Sequence, residues 1–241
     1  MHEFETFVYL DVPKTGTSFI ASVLKKFSKE RLVKKVLHTG VEMEYDASKF
    51  HFISVRDPFQ QYLSLYSFGC QSKGKLFTRL SKGGFAGLYD GSPGGFSDWL
   101  AFILEPRSAG FLPEFGDHNL RHIAGMMGFQ SYRVLQLAMS DAENVLARCS
   151  NREEVEAAFK SRNIVQYTIK TETLRTDLDN LLVTRLAPSM RNLQRARRYI
   201  AEESARNTSH RVDEMWPAGA DTDLRSLVLE REWPLRRFFG Y

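Results

Sequence analysis

The chain reads as an α/β protein on three observations. A β-branched and aromatic run is stopped by a proline; an amphipathic helical pattern follows directly; and the same strand–turn–helix order returns farther along. The 241 residues, 43% hydrophobic and 26% charged, suit a single domain with a substantial core. Strands that alternate with helices imply a mainly parallel sheet flanked by helices, because parallel neighbours need a crossover between them.

The first strand is predicted in "TFVYLDV" (6–12), which Pro13 ends. Behind it, Phe19 or Ile20, Val23, Leu24 and Phe27 recur at helical spacing in "TSFIASVLKKFSKE", with lysines on the other face. "KVLHTG" (35–40) and "FHFISVR" (50–56) are predicted strands. "DPFQQYLSLYSF" (57–68) is a predicted helix that Asp57 caps, with Pro58 in its first turn. Residues 69–118, rich in Gly, Ser and Pro, are expected to be irregular apart from a short helix in "SDWLAFIL" (97–104). Long irregular stretches inside compact domains are usually functional or disordered. Later elements are a strand "SYRVLQL" (131–137), helices around 140–148 and 151–161, and a strand "NIVQYTI" (163–169). The last is a helix over 172–186, with Leu174, Leu178, Leu181 and Leu182 on one face.

Charge and composition limit the partners. Lys and Arg number 33 against 29 Asp and Glu, a formal net charge of +4, which fits an anionic small ligand and lacks the concentrated basic tract of a nucleic-acid binder. The arginine-rich run at 190–211 reads as a solvated helix face with Glu202 and Glu203 as counter-charges. Cys70 and Cys149 are the only cysteines; they cannot build a disulfide framework or a four-cysteine zinc site, and a reducing, cytoplasmic setting is expected. No signal-like or membrane-spanning window is present in the sequence. No metal is expected, since H-E-x-x-H and cysteine clusters are absent.

Two loops carry the chemistry. "PKTGTS" (13–18) stands between the first strand and its helix, where a parallel α/β sheet offers a helix N-terminus to anions. It departs from the NTPase pattern G-x-x-x-x-G-K-[ST]: Lys14 precedes the sole glycine, Gly16, and the hydroxyls are Thr15, Thr17 and Ser18. The loop is thus P-loop-like in position but not in spacing. The second loop, "SVRDPFQQYLSLY", puts Arg56 at the end of a predicted strand and Ser64 about two turns into the next helix. An arginine fork and a serine hydroxyl suit a second phosphate, while a salt bridge and helix packing are their ordinary structural roles.

"VPKTGTSF" followed by "SVRDPFQQYLSLY" resembles the paired cofactor motifs of sulfotransferases that use 3'-phosphoadenosine 5'-phosphosulfate (PAPS). The first is similar to the family's 5'-phosphosulfate loop, the second to its 3'-phosphate motif, R-[DN]-P-x-x-R-x-x-S-x-Y. "YTIKTETLRTDLDNLL" resembles the E-T-L-x-x-D segment of the carbohydrate-type branch. "RNTSHR" and the terminal "REWPLRRFFGY" resemble its N-x-S loop and F-G-Y ending. The motifs run from residue 7 to 241 in the family's order. Gln61 stands where the family has a second arginine, and Asp11 where relatives often carry a histidine.

The resemblance implies a sulfotransferase domain over 1–241, with residues 69–118 as an acceptor-site insertion. PAPS would be the donor and its product 3'-phosphoadenosine 5'-phosphate (PAP); the acceptor would be a hydroxyl of a carbohydrate, glycolipid or other alcohol. Pro13, Lys14, Thr15, Gly16, Thr17 and Ser18 would hold the 5'-phosphosulfate, Arg56 and Ser64 the 3'-phosphate, and Asn207 and Ser209, with Arg206 or Arg211, the adenosine end. Lys14 would neutralise the leaving oxygen. His38 would be the base that takes the acceptor's proton, with His118 the runner-up and His122 a helix-face residue; imidazole titrates in the range such a step needs. Glu172 and Asp177 read as a helix N-terminal charge and a structural carboxylate. Two other readings remain open: a P-loop kinase, and a non-catalytic adenosine-nucleotide binding module.

Overall fold

The computed structural model describes residues 1–36, 45–113, 115, 120–203 and 222–241. Five strands form one sheet in the order β3-β1-β2-β4-β5: β1 (His2–Phe4), β2 (Phe7–Leu10), β3 (Leu32–Lys35), β4 (Phe50–Val55) and β5 (Tyr167–Lys170). The described helices run α1 (Thr17–Phe27), α2 (Pro58–Cys70), α3 (Lys75–Lys82), α4 (Pro93–Leu104), α5 (Ile123–Met126) and α6 (Phe129–Ala138). They continue with α7 (Ala142–Leu146), α8 (Arg152–Arg162), α9 (Leu174–Thr184), α10 (Leu193–Glu202), α11 (Thr222–Arg231) and α12 (Trp233–Phe239). None of the described helices is long and apolar enough to cross a membrane.

The chain divides into two compact units. One comprises Met1–Arg56, Leu135–Ala142 and Phe159–Asn207; the other Asp57–Val134, Glu143–Ala158 and Thr208–Tyr241. The first holds the sheet. β2, β4 and β5 are parallel, with Phe7 opposite Phe50 and Phe52 opposite Tyr167. β1 pairs antiparallel with both β2 and β3, so the sheet as a whole is mixed. The cause is local: only Glu5 and Thr6 separate β1 from β2, which permits a hairpin but no crossover. β3 (Leu32–Lys35) starts three residues before the strand expected at 35–40, shares only Lys35 with it, and is exposed throughout; residues 37–44 lie outside the described part.

α1, α9 and α10 bury their apolar stripes against the sheet. Phe19, Ile20, Val23, Leu24 and Phe27 of α1 meet Leu178, Leu181 and Leu182 of α9, Ala196 and Ile200 of α10, and the sheet's Phe7, Tyr9, Phe52 and Ile169. The leucine spacing read at 172–186 is this contact, with Leu174 only partly buried. In the arginine-rich run, Arg197 of α10 holds Asp179 of α9 through two bonds of 2.8 and 3.0 Å.

The second unit is built on aromatic rings. Tyr62 and Tyr66 of α2 pack on Trp99 of α4 with ring centroids 6.1 and 5.5 Å apart, and Phe59 meets Phe96 edge-on at 5.7 Å. α2 starts as its sequence indicates: Asp57 accepts from the Gln60 N–H at 2.9 Å, with Pro58 in the first turn. The described residues of 69–118 are substantially helical. α3 and α4 occupy much of the stretch, with 3-10 helices at Ala86–Leu88 and Pro106–Phe111. Gly74 and Gly83 flank α3, and Ser92 caps α4 by accepting from Gly95 N–H at 2.9 Å. Phe96 and Trp99 are fully buried, each worth about 1.5–3 kcal/mol or more in burial, so they hold this unit together instead of lining a cleft.

Residues 131–137, expected as a strand, lie in α6. The run interleaves Ser131, Arg133 and Gln136 with Tyr132, Val134, Leu135 and Leu137, and all but Arg133 and Gln136 are buried, so neither period shows cleanly. Its N-terminus is satisfied from far away. The Glu232 carboxylate, fully buried, accepts from the Gln130 and Ser131 N–H groups at 3.2 and 2.6 Å and from the Tyr62 hydroxyl. The strand expected at 163–169 shortens to β5, beginning at Tyr167.

Candidate functional site

β2 and β4 are adjacent and parallel, so the loops at their carboxyl ends emerge side by side. The first carries Pro13 to Gly16 into α1. Lys14 has φ 67° and Gly16 φ 79°, both left-handed. For lysine that conformation costs about 1–2 kcal/mol, and such strain persists only where the surroundings over-determine it. Here Thr15 supplies the constraint. Its side chain is fully buried; the hydroxyl donates to the Val12 carbonyl at 2.7 Å and lies 2.6 Å from Ser54 Oγ of β4, itself 2.7 Å from the Tyr9 hydroxyl of β2. The loop is thereby fixed to two strands at once.

Gly16 is the N-cap of α1 and has no side chain to bond the helix's first N–H groups; no acidic residue stands in the first turn. Phe19 and Ile20 donate back to the Gly16 carbonyl at 3.0 and 3.2 Å. Thr17 is partly exposed and Ser18 exposed. The positive end of α1 is therefore neutralised by no carboxylate of its own, the condition under which a helix N-terminus receives an anion. A Cβ on Gly16 would also lie 2.9 Å from Leu174 Cδ2.

Arg56 follows the last residue of β4. Its Nη1 donates to the Lys14 carbonyl at 3.5 Å, which brings a guanidinium over the same curl of backbone. Burial pushes the Lys14 ammonium below its ordinary pKa, and the Arg56 charge pushes it further down. Two cations held together and partly desolvated repel each other, and a bound anion relieves that repulsion. On the far side of β4, Thr171 donates its hydroxyl to the Val55 carbonyl at 2.9 Å, and Lys170 sits in register with Val55. Arg56 therefore projects from a strand end tied on both sides.

Of the residues singled out in the sequence, Pro13 to Ser18 and Arg56 come together in the first unit. Thr15 is the exception in role: its hydroxyl faces the sheet and positions the loop. Ser64 is buried on α2, in the second unit, as is Gln61. His38, His118, Asn207, Ser209 and the neighbouring Arg206 and Arg211 lie outside the described residues. His122 is exposed at the start of α5. Asp11 is buried, accepts from the Met1 amine, and lies 3.7 Å from His2 Nε2. Asp177 is structural, accepting from Lys170 N–H at 2.8 Å and Thr173 hydroxyl at 2.7 Å; Glu172 is exposed. Ser54 and Thr171 are the positioning residues that motif reading missed. Ser54 had a signal, a lone hydroxyl in the apolar strand "FHFISV", since a buried hydroxyl needs a partner; Thr171 had none.

The pair of like charges above an uncapped helix start fits a ligand carrying a phosphate or sulfate. Set against known proteins, the chain matches no protein-family model, and no curated protein or solved structure matches it.

Proposed function

We propose that this chain is a PAPS-dependent sulfotransferase that moves a sulfuryl group to a hydroxyl of a carbohydrate, glycolipid or other alcohol. The observation that carries the reading is the Lys14–Arg56 pair at the ends of two neighbouring parallel strands, one cation on each of the two motifs that resemble the family's cofactor loops. The curl at Lys14 and Gly16 turns backbone N–H groups toward an anion, and the α1 dipole adds to their effect. PAPS supplies the activated sulfuryl group and a stable leaving phosphate.

Within this reading the protein's residues orient and neutralise. Lys14 holds its proton beside the oxygen that leaves with the 5'-phosphate, and Thr17 and Ser18 donate to that phosphate's other oxygens. Arg56 binds the 3'-phosphate, the group that separates this nucleotide from ATP. The acceptor oxygen forms its bond to sulfur as the bond to the phosphate oxygen breaks, and the hydroxyl proton passes to His38. Asn207 and Ser209 close on the adenosine end.

Calorimetric titration with PAP, with 5'-AMP and ATP as comparators and Arg56→Ala as a further arm, tests this. Binding that requires the 3'-phosphate and is lost in the variant is the expected result. ATP bound as well as PAP or better would overturn the proposal in favour of a kinase, and no binding to any of the three would favour a scaffold that has lost the nucleotide.

A further inference from the structure

One edge of the sheet carries exposed backbone groups, and its reading does not depend on the Lys14 site. β3 ends the sheet, paired with β1 alone, and all four of its residues are exposed. The antiparallel register tells which of its backbone groups are engaged. Val36 N–H donates to the Met1 carbonyl at 3.0 Å and the Val36 carbonyl accepts from the Met1 amine, so the next pair, His2 and Lys35, is a non-hydrogen-bonded one. The N–H and C=O of Lys35 therefore point away from β1, and neither meets a partner among the described residues. They are the two groups with which an added strand would exchange its bonds.

The side chains along this edge define the strand that fits it. Val33, at 50%, is the most exposed large apolar residue among the described ones, and Leu32 beside it is 39% exposed. Lys34 and Lys35 follow directly, and neither ammonium has an ion pair or hydrogen bond among the described residues. Glu3, which stands across from Lys34, is held instead by Lys49 at 2.5 Å. Successive side chains of a strand point to opposite faces, so the edge presents one free lysine on each face. A second copy laid on β3 would bring two such lysine pairs together, and like charges across strands repel. An acidic strand meets opposite charge on both faces.

We infer that the free edge of β3 binds an extended acidic segment of a partner protein, which adds a sixth strand to the five of the sheet. In the antiparallel sense its complement is two consecutive acidic residues followed by an apolar one. The first exchanges two backbone bonds with Lys35, the second faces Lys34, and the third covers Val33. Main-chain bonds attach the segment, and the charges choose it. A polyanion without a peptide backbone would satisfy the lysines but leave the Lys35 N–H and C=O unmatched.

The test is fluorescence anisotropy of the full chain with the labelled peptide Thr-Thr-Glu-Glu-Val-Thr-NH2, alongside Thr-Thr-Lys-Lys-Val-Thr-NH2. N-methylation of the first glutamate removes the donor to the Lys35 carbonyl and is expected to weaken binding by at least about tenfold. N-methylation of the second, whose N–H faces away from β3, is expected to cost less than about threefold. The double variant Lys34→Glu/Lys35→Glu, at two exposed positions, is expected to lose the acidic peptide and take the basic one in its place. Circular dichroism establishes that the variant is folded, and the methylation arms use the wild-type chain throughout. The inference is overturned if the acidic peptide does not bind, if methylation of either glutamate has the same effect, or if the folded variant still prefers the acidic peptide. A wild-type dimer in sedimentation that the variant loses would overturn it as well, assigning the edge to a second copy.

Discussion

Replacing Gly16 with alanine isolates what the loop's geometry costs. An L-residue held at φ 79°, ψ 16° carries about 1–2 kcal/mol of steric strain. The added Cβ would stand 2.9 Å from Leu174 Cδ2, with Cδ1 at 3.5 Å, so Leu174 must turn from its rotamer at about 0.5–1.5 kcal/mol. Against this, alanine narrows the unfolded ensemble and returns about 0.4–1 kcal/mol. The net expectation is a loss of about 2 kcal/mol, read from equilibrium urea denaturation followed by far-UV circular dichroism. A double-mutant cycle separates the two causes: in a Leu174→Ala background the clash disappears and the backbone strain stays, so the coupling should be about 1 kcal/mol in favour of the double variant. A Gly16→Ala protein within about 0.5 kcal/mol of wild type, or a cycle without coupling, would refute the reasoning.

Further outcomes follow from the same geometry. Lys14→Ala should lower sulfuryl-transfer rate by about 10²–10³; a loss of tenfold or less in steady-state assays would remove Lys14 from the leaving-group role. Because burial and Arg56 hold the Lys14 ammonium below its ordinary value of 10.5, the unfolded chain binds that proton more tightly. Stability of the ligand-free protein therefore rises with pH between the lowered value and 10.5, while PAP affinity falls across the same window. Binding there should take up a proton, visible as a dependence of calorimetric heat on buffer ionisation enthalpy; buffer-independent heat would count against the charge pair. Burial pushes the Glu232 carboxyl above its ordinary 4.5, partly opposed by its hydrogen bonds, so its contribution to stability declines as pH rises from 4.5 through the raised value. Glu232→Ala leaves the Tyr62 hydroxyl and two backbone N–H groups without their acceptor and should cost at least about 3 kcal/mol. Urea titrations at several pH values check both, and a neutral Glu232→Ala variant would contradict them.

What the sequence made legible was whatever its signals keep local. The α2 start was readable because Asp57 and Pro58 are adjacent to the helix they begin, and the β2–loop–α1 unit because its period changes at Pro13. Where the deciding partner is distant, the reading failed. The sequence predicts a strand at 131–137 because the N-terminal N–H groups of α6 are satisfied by Glu232, about a hundred residues away, leaving no cap signal beside the helix. Residues 69–118 read as irregular because Gly, Ser and Pro are loop composition, whereas Gly74, Gly83 and Pro93 stand at the ends of α3 and α4, and rings of α4 pack on α2. Likewise, the loop cations Lys14 and Arg56 were named from motif spacing. That Thr15 turns its hydroxyl inward depended on Ser54, and no spacing rule links those two positions.

The buried hydroxyls behind the loop have a direction. Thr15 has one proton and donates it to the Val12 carbonyl, so the contact with Ser54 can only be donated by Ser54, whose own acceptor capacity must then be filled by Tyr9. Burial drives the Tyr9 phenol far above its usual range, so it keeps the proton it gives. The three dipoles run one way, from β2 through β4 into the loop, and each polarises the next. Reversing any one of them would strand the Val12 carbonyl. The chain therefore fixes orientation as well as position, and the backbone curl at Lys14 and Gly16 is set from beneath by the sheet.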